Sequence, residues 1–386
     1  MRHTINIYQR PVQGTNFLKR HVALNYRHRI SANGWYDTAT CDIVPDSSQY
    51  NVLLDDYIGA RVAAFGSNPL QPIWEGIVNR VSYTQNGVMF TNSLDSMYNA
   101  AYMQYDASTG VTTLAGSSTN ANSIAKYGRK GAVINVGNHS GTTSLLETRD
   151  TLVTANGWPQ KSMVAAPGQA NSPLRLEMIG FYHTLGWSVT TNNSAVAIAL
   201  NSAMSGLVAV TNGQSNVWYN NTASDYGAIN TNAVTIAPAS YFIITVLEAV
   251  RKIVEIGNGT NRWIFGIEPT DVNLRTRRLY YRQSNYSIRY TARVRDGLRI
   301  RDLYGRLVDP STVRPDCGIR ITDLTTLWNG IGDNPSETYI DSVDYDATSG
   351  RVTLVSADDP RVEGLFQIAR YGKPRNSRFN QQPRGF

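Results

Sequence analysis

At 386 residues the chain exceeds one ordinary hydrophobic core, so two to three domains are expected. Hydrophobic residues make up 41% and charged residues only 17%, which excludes a disordered chain and leaves Asn, Ser, Thr, Gly and 22 Tyr to cover sheets and interfaces. The net charge of +7 is compatible with an anionic partner without requiring one; no apolar run reaches the ~20 residues of a membrane span, and no signal peptide is expected from residues 1–6.

Residues 1–110 read as successive strands. Ile43-Val44-Pro45 leads into a turn at Asp46-Ser47-Ser48, residues 57–65 form a strand, and Gly66-Ser67-Asn68-Pro69 a turn. Trp74 begins a hairpin that turns through Asn86-Gly87 between Val81 and Phe90. Strands at this spacing favour a small barrel or sandwich. Residues 111–173 are a connector in which 143–156 forms a short helix, stopped by Gly157 and Pro159, before a small, polar stretch at 167–173. Residues 174–272 look α+β. There 174–187 is strand-like, Ser194 caps a helix running to about Leu207, and Pro238 opens the best helix, 239–256. Phe242, Val246, Ala249, Val250 and Ile253 line its expected buried face, and Gly257 ends it. Residues 273–372 return to β, with turns at Asp296-Gly297, Tyr304-Gly305 and Asp333-Asn334-Pro335. The tail, 373–386, is basic and reads as extended.

One hairpin is written twice. Tyr345-Asp346-Ala347-Thr348-Ser349-Gly350-Arg351-Val352-Thr353-Leu354 repeats Tyr105-Asp106-Ala107-Ser108-Thr109-Gly110-Val111-Thr112-Thr113-Leu114. Alternating apolar residues flank turn residues, with Gly110 and Gly350 free to take a positive φ. Each copy is followed by a matching basic segment, first Ile124-Ala125-Lys126-Tyr127-Gly128-Arg129-Lys130 and then Ile368-Ala369-Arg370-Tyr371-Gly372-Lys373. Two matched words in the same order imply two related β modules. The hairpin at Val81–Phe90 has the same shape, and either it or the one at Tyr105 could be the counterpart of the second copy.

The chain carries few chemical motifs. No nucleophile-elbow or zinc-protease motif is present. The five histidines lack metal-ligand spacing, and His183 reads as a satisfied core histidine. Cys41 and Cys317 read as two small buried residues. Asp344 and Asp346 lack the later Glu of a calcium loop, and Glu75 and Asp95 show no pairing of the glycosidase kind. Neither an enzyme nor a cofactor is expected.

The strongest electrostatic signal is a run of arginines: Arg277, Arg282, Arg289, Arg293, Arg295, Arg299 and Arg301. On strands, the last five would share one face by period two. Arg rather than Lys favours planar pairing, either across a subunit interface or to phosphate. A solvated face is the third reading. Tyr280, Tyr281, Tyr286 and Tyr290 interleave with the arginines, which suits single-strand stacking or a packed β interface.

Words spread along the chain resemble the tail hub, or baseplate hub, proteins of tailed bacteriophages. They include Trp74-Glu75-Gly76-Ile77-Val78, Ser93-Leu94-Asp95-Ser96-Met97-Tyr98-Asn99, Ile124 to Arg129, Gly180-Phe181-Tyr182-His183-Thr184-Leu185-Gly186-Trp187, Arg262-Trp263-Ile264-Phe265-Gly266-Ile267 and Val343-Asp344-Tyr345-Asp346-Ala347. The resemblance implies a non-enzymatic virion component, assembled in the host cytoplasm, whose ring joins the tail tube to the tail tip around the DNA channel. It implies a homotrimer with pseudo-sixfold barrels, or a hexamer. Its partners would be tail-tube, distal-tail and tail-tip or fibre proteins, with transient passage of DNA and no stable membrane insertion. The expected organisation is mainly β, α+β in total. A barrel module at 1–110 and another at 273–372, both of tube type, would flank the connector and an α+β middle domain. The alternative is a phage adhesin or glycan-binding β protein, using Trp35, Trp74, Trp158 and Trp187 as sugar platforms.

Overall fold

The computed structural model describes residues 3–14, 16–106, 112–139, 143–190, 198–213, 229–236, 244–257, 262–269, 277–284, 287–293, 295–323 and 337–356. The chain forms two compact units. Unit 1 holds 1–28 and 33–283, and unit 2 holds 29–32 and 284–386.

Unit 1 is built on a closed barrel. Its first strands are β1 (His3–Tyr8), β2 (Phe17–Ser31), β3 (Gly34–Ile43), β4 (Arg61–Phe65) and β5 (Pro72–Gln85). They are followed by β6 (Val88–Ser93), β7 (Ala100–Asp106), β8 (Thr112–Thr119), β9 (Gly131–Asn138), β10 (Gln160–Ala165) and β11 (Leu174–Ile179). The pairing runs β3–β11–β5–β4–β1–β2 and returns to β3, giving six strands with no open edge. Register decides what fills the interior. Ile5 lies opposite Ala64, and Ala64 opposite Trp74. Leu176 lies opposite Val81 and Cys41, and Met178 opposite Val78 and Ala39. All nine are buried, so these residues pack the inside solid.

The expected boundaries at 110 and 173 both fall within unit 1. β11 belongs to the barrel, although 174–272 was expected to be a separate domain. The hairpin at Tyr105 lies outside the barrel. β7 pairs instead with β8 and, in parallel, with β9, forming a three-stranded sheet under helix α3 (Thr143–Asn156). The hairpin that does extend from the barrel is β5–β6. It turns at Asn86 (φ 52°) and Gly87 (φ 71°), the left-handed pair required by a tight two-residue turn.

Helices α1 (Tyr50–Asp56), α2 (Ala121–Tyr127), α3 (Thr143–Asn156), α4 (Leu200–Gly213) and α5 (Val246–Ile256) complete unit 1 with six further strands. The strands are β12 (Val189–Thr190), β13 (Ile198–Ala199), β14 (Thr235–Ile236), β15 (Ile244–Thr245), β16 (Trp263–Pro269) and β17 (Arg277–Gln283). α1 was expected to be strand. α3 occupies its expected range. α5 starts later than the 239 expected, because Thr245 and Glu248 form a reciprocal capping box there, with Thr245 N–H donating to Glu248 Oε2 at 2.9 Å. Its buried face is Val246, Leu247, Val250 and Ile253; Phe242, Ser194 and Pro238 lie outside the described residues. The expected strand at 174–187 stops at Ile179. A Cβ on Gly180 would sit 1.6 Å from the Tyr36 carbonyl oxygen, and the chain then coils into a 3-10 helix, Phe181–Trp187.

A buried polar network ties the loop before β7 to the connector. Asn99 is fully buried. Its Nδ2 donates to Ser123 Oγ (3.1 Å) and to the Gly128 carbonyl (2.8 Å), and its Oδ1 accepts from the Lys130 N–H (2.7 Å). Ser123 Oγ donates onward to the Gly157 carbonyl. Lys130 Nζ donates to the Leu94 carbonyl and, at 3.2 Å, to that of Asp95, with the Trp187 ring 5.4 Å away. Three of the words quoted above thus meet at one point.

Unit 2 contains β18 (Ile288–Ala292), β19 (Arg301–Asp302), β20 (Cys317–Ile321), β21 (Glu337–Ile340), β22 (Ser342–Asp346) and β23 (Arg351–Val355). One sheet runs β19–β18–β20–β21. The β22–β23 hairpin lies beside the end of β2, where Ala32 N–H donates to the Asp341 carbonyl at 2.7 Å. The core is Ala292, Ile300, Val313, Cys317, Ile319, Ile340, Val343 and Leu354.

Two outcomes follow from the Asn99 network. Asn99→Ala strands the buried Ser123, Gly128 and Lys130 groups and lowers stability by about 2–4 kcal/mol in urea unfolding; a variant that unfolds with the wild type contradicts the network. Burial pushes the Lys130 ammonium down from 10.5 to about 8, against the opposing pull of Asp95. The folded chain therefore releases this proton first, and between those two values the unfolded chain holds more protons, so this group's contribution to stability rises with pH. The stability of the wild type relative to Lys130→Met should rise by about 1–3 kcal/mol across that window; a difference that ignores pH contradicts it.

Candidate interaction site

The arginine run divides between the two units. Arg277 and Arg282 lie on β17 in unit 1, where Arg282 is half-buried with its guanidinium 4.6 Å from the Tyr280 ring centre. The other five lie in unit 2, and no single strand carries them. Arg289 is exposed on β18, and Arg293 follows that strand's end. The chain then turns sharply. Asp296 N–H and Leu298 N–H both donate to the Arg293 carbonyl, and Gly297 (φ 67°) and Leu298 (φ 55°) are both left-handed. This turn breaks the expected period-two face. Arg295 sits in the turn and pairs with the buried Asp323 at 3.2 Å; Arg299 follows it, and Arg301 opens β19, 3.9 Å from Asp296.

The turn and the second copy of the repeated hairpin form one cleft. It has a volume of about 250 Å³. Leu298, Ile300, Val308, Val352 and Leu354 are its apolar lining, and Arg299, Arg351, Gly297 and Gly350 stand at its exposed rim. In the hairpin, Val343 pairs with Leu354 and Tyr345 with Val352, both inward-facing pairs. Asp346 Oδ1 accepts from Thr348 N–H at 2.8 Å, and Gly350 has φ 65°. Arg299 makes no ion pair with a described residue, whereas Arg295 and Arg301 do. Of the earlier copy, Tyr105 and Asp106 lie on β7 in unit 1, and Gly110 is outside the described residues.

Beyond the cleft, β19 runs into a tight turn that holds exposed Leu303, Tyr304 and Leu307. Sequence reasoning marked Tyr304-Gly305 as a turn and missed its apolar display. The signal was there, as three large apolar residues around Asp302 and Gly305 where a turn needs polar ones.

Several candidate roles are corrected by burial. Tyr280 and Tyr281 are buried, and Tyr290 packs on the unit 2 core while its hydroxyl accepts from the Arg314 N–H at 3.2 Å. None of the three offers a stacking face; Tyr286 lies outside the described residues. Of the four tryptophans proposed as sugar platforms, Trp74 and Trp187 are buried and Trp35 is half-buried. Trp158 is 41% exposed, edge-on to Tyr127. His183 is half-buried in the 3-10 helix, with Nε2 2.9 Å from Asp37. Glu75 is buried against Arg61 at 2.7 Å, and Asp95 pairs with Arg80 at 2.6 Å, so these two carboxylates serve different partners.

In comparisons with known proteins, no family model matches the chain and no curated protein matches it.

Cys41 and Cys317 are free and buried. Burial pushes both thiols up, Cys317 to about 12, so neither forms thiolate at neutral pH. Ellman's reagent should therefore detect almost no thiol in the native chain and both in denaturant. Rapid native reaction at either would contradict this burial.

Proposed function

We propose that the chain is a structural virion protein, a ring-forming tail or baseplate hub that joins the tail tube to the tail tip around the DNA channel. The observation that carries this reading is the closed barrel with its β5–β6–β10 arm. β10 pairs with β6 alone among the described residues, and all six of its residues are exposed. Backbone donors and acceptors on such an edge need a cover, and a neighbouring subunit supplies one. The sequence resemblance to phage hubs supports the same reading.

In this reading unit 2 is the second tube-type module, so each chain presents two barrels and three chains match a sixfold tube; a hexamer is the variant arrangement. The exposed arginines of unit 2 then serve subunit contact or the phosphates of passing DNA. Tail-tube, distal-tail and tail-tip or fibre proteins are the neighbours. The adhesin reading is less favoured, because two of its four tryptophan platforms are buried.

Light scattering of the purified chain, with negative-stain images of the same peak, tests the proposal. The expected result is a trimer or hexamer with a central hole. A monomer that persists at high concentration and binds host cells or glycans overturns it in favour of the adhesin.

A further inference from the structure

The turn after β19 is rigid and polar inside but apolar outside. Asp302 Oδ1 accepts from the N–H groups of Tyr304 and Arg306, each at 2.9 Å, and Oδ2 accepts from Arg306 Nε at 2.7 Å. Gly305 N–H donates to the Asp302 carbonyl, and Asp302 N–H to that of Arg306. Burial raises the Asp302 pKa, but these donors outweigh it and hold the carboxyl below its ordinary range. The loop therefore needs no outside partner to be ordered. Yet Leu303 is 61% exposed, Tyr304 86% and Leu307 58%. Large apolar side chains carried outward on an ordered backbone leave only their own rotamers to be ordered on binding, which marks a docking knob.

The same unit carries a receptor of matching chemistry. The cleft's volume of about 250 Å³ lies below the roughly 300–1,000 Å³ of pockets that hold drug-sized ligands, and suits a single aromatic side chain. Its lining is apolar, and its rim carries Arg299 and Arg351, whose guanidinium groups can lie over an aromatic ring.

We propose that Tyr304 of one copy of this chain seats in the cleft of a second copy. The ring fills the apolar floor between Leu298 and Val352, and Leu303 and Leu307 pack on the lip. Asp302 at the base of the knob approaches Arg299, which makes no ion pair with a described residue. A second copy is favoured over another partner because the complement in size, apolarity and charge is already present on this unit. Magnitude sets the strength. An aromatic side chain buries about 150–250 Å², against the roughly 1,200–2,000 Å² of a stable interface, so the contact alone is weak and depends on concentration. The inference requires self-association and does not require a ring.

The test uses two full-length variants, Tyr304→Cys and Val352→Cys, one bearing a mass tag, mixed and mildly oxidised. The buried Cys41 and Cys317 give little background. The expected product is the mixed disulfide, well above that formed by Tyr304→Cys with Met163→Cys, an exposed position in unit 1. In parallel, Tyr304→Ser should weaken self-association roughly tenfold in light scattering while leaving the thermal unfolding midpoint unchanged. A mixed disulfide no greater than the control overturns the proposal. So does a Tyr304→Ser chain that self-associates normally, whether or not it has lost binding to anionic vesicles. Rings without the mixed disulfide remove this inference alone; the mixed disulfide without rings removes the hub reading alone.

Discussion

The architecture of unit 1 rests on the register in which β11 enters between β3 and β5. A shift of one residue would turn Leu174, Leu176 and Met178 away from Trp74 and Val81, and would expose an apolar row while emptying the barrel. Two close approaches hold the register. Gly180 lies against the Tyr36 carbonyl and Gly76 against that of Ile179, where a Cβ would come within 2.1 Å. The barrel is thus specified by the places where side chains are forbidden as well as by those where they pack.

Arginine plays two physically different parts in this chain. Arg10 and Arg61 are buried. Arg10 donates to the carbonyls of Ile58 and Asp55 and lies 4.8 Å from the Tyr127 ring centre, with burial lowering its pKa. Arg61 pairs with Glu75 and faces the Tyr8 ring. Removing either partner of such a pair leaves a buried charge, which costs more than the pair itself contributes. The unit 2 arginines are largely exposed, and their ion pairs add little stability. Arg293, Arg295 and Arg299 lie between β18 and β19, on the exposed side of the chain.

Local chemistry made some of this legible in the sequence. Asn86-Gly87 and Asp346 to Gly350 are turns because of backbone and side-chain preferences that no tertiary contact overrides. The α3 boundaries were readable for the same reason. What stayed hidden depends on distant partners. Nothing near Leu174 says that it pairs with Ile43, and nothing near Asn99 says that Ser123 and Gly128 wait for its amide. The arginine face was misread because a period of two was carried past the end of β18 at Ala292 and through Gly297 and Leu298, two successive left-handed residues of the turn that follows. The repeated hairpin was read correctly as local structure, but its two copies occupy different settings, one in a three-stranded sheet and the other lining a cleft.

The late entry of β11 also has a consequence on the ribosome. β3 and β5 are synthesised before β6 to β10, and the strand that lies between them follows that whole excursion. At about 5–20 residues per second the delay is on the order of ten seconds. During that interval two β-edges and an apolar trough are open on the nascent chain, long after hairpins have had time to form. On a polysome, where neighbouring nascent chains display the same open edges, the order of synthesis leaves those edges able to pair between chains until residue 179 has emerged.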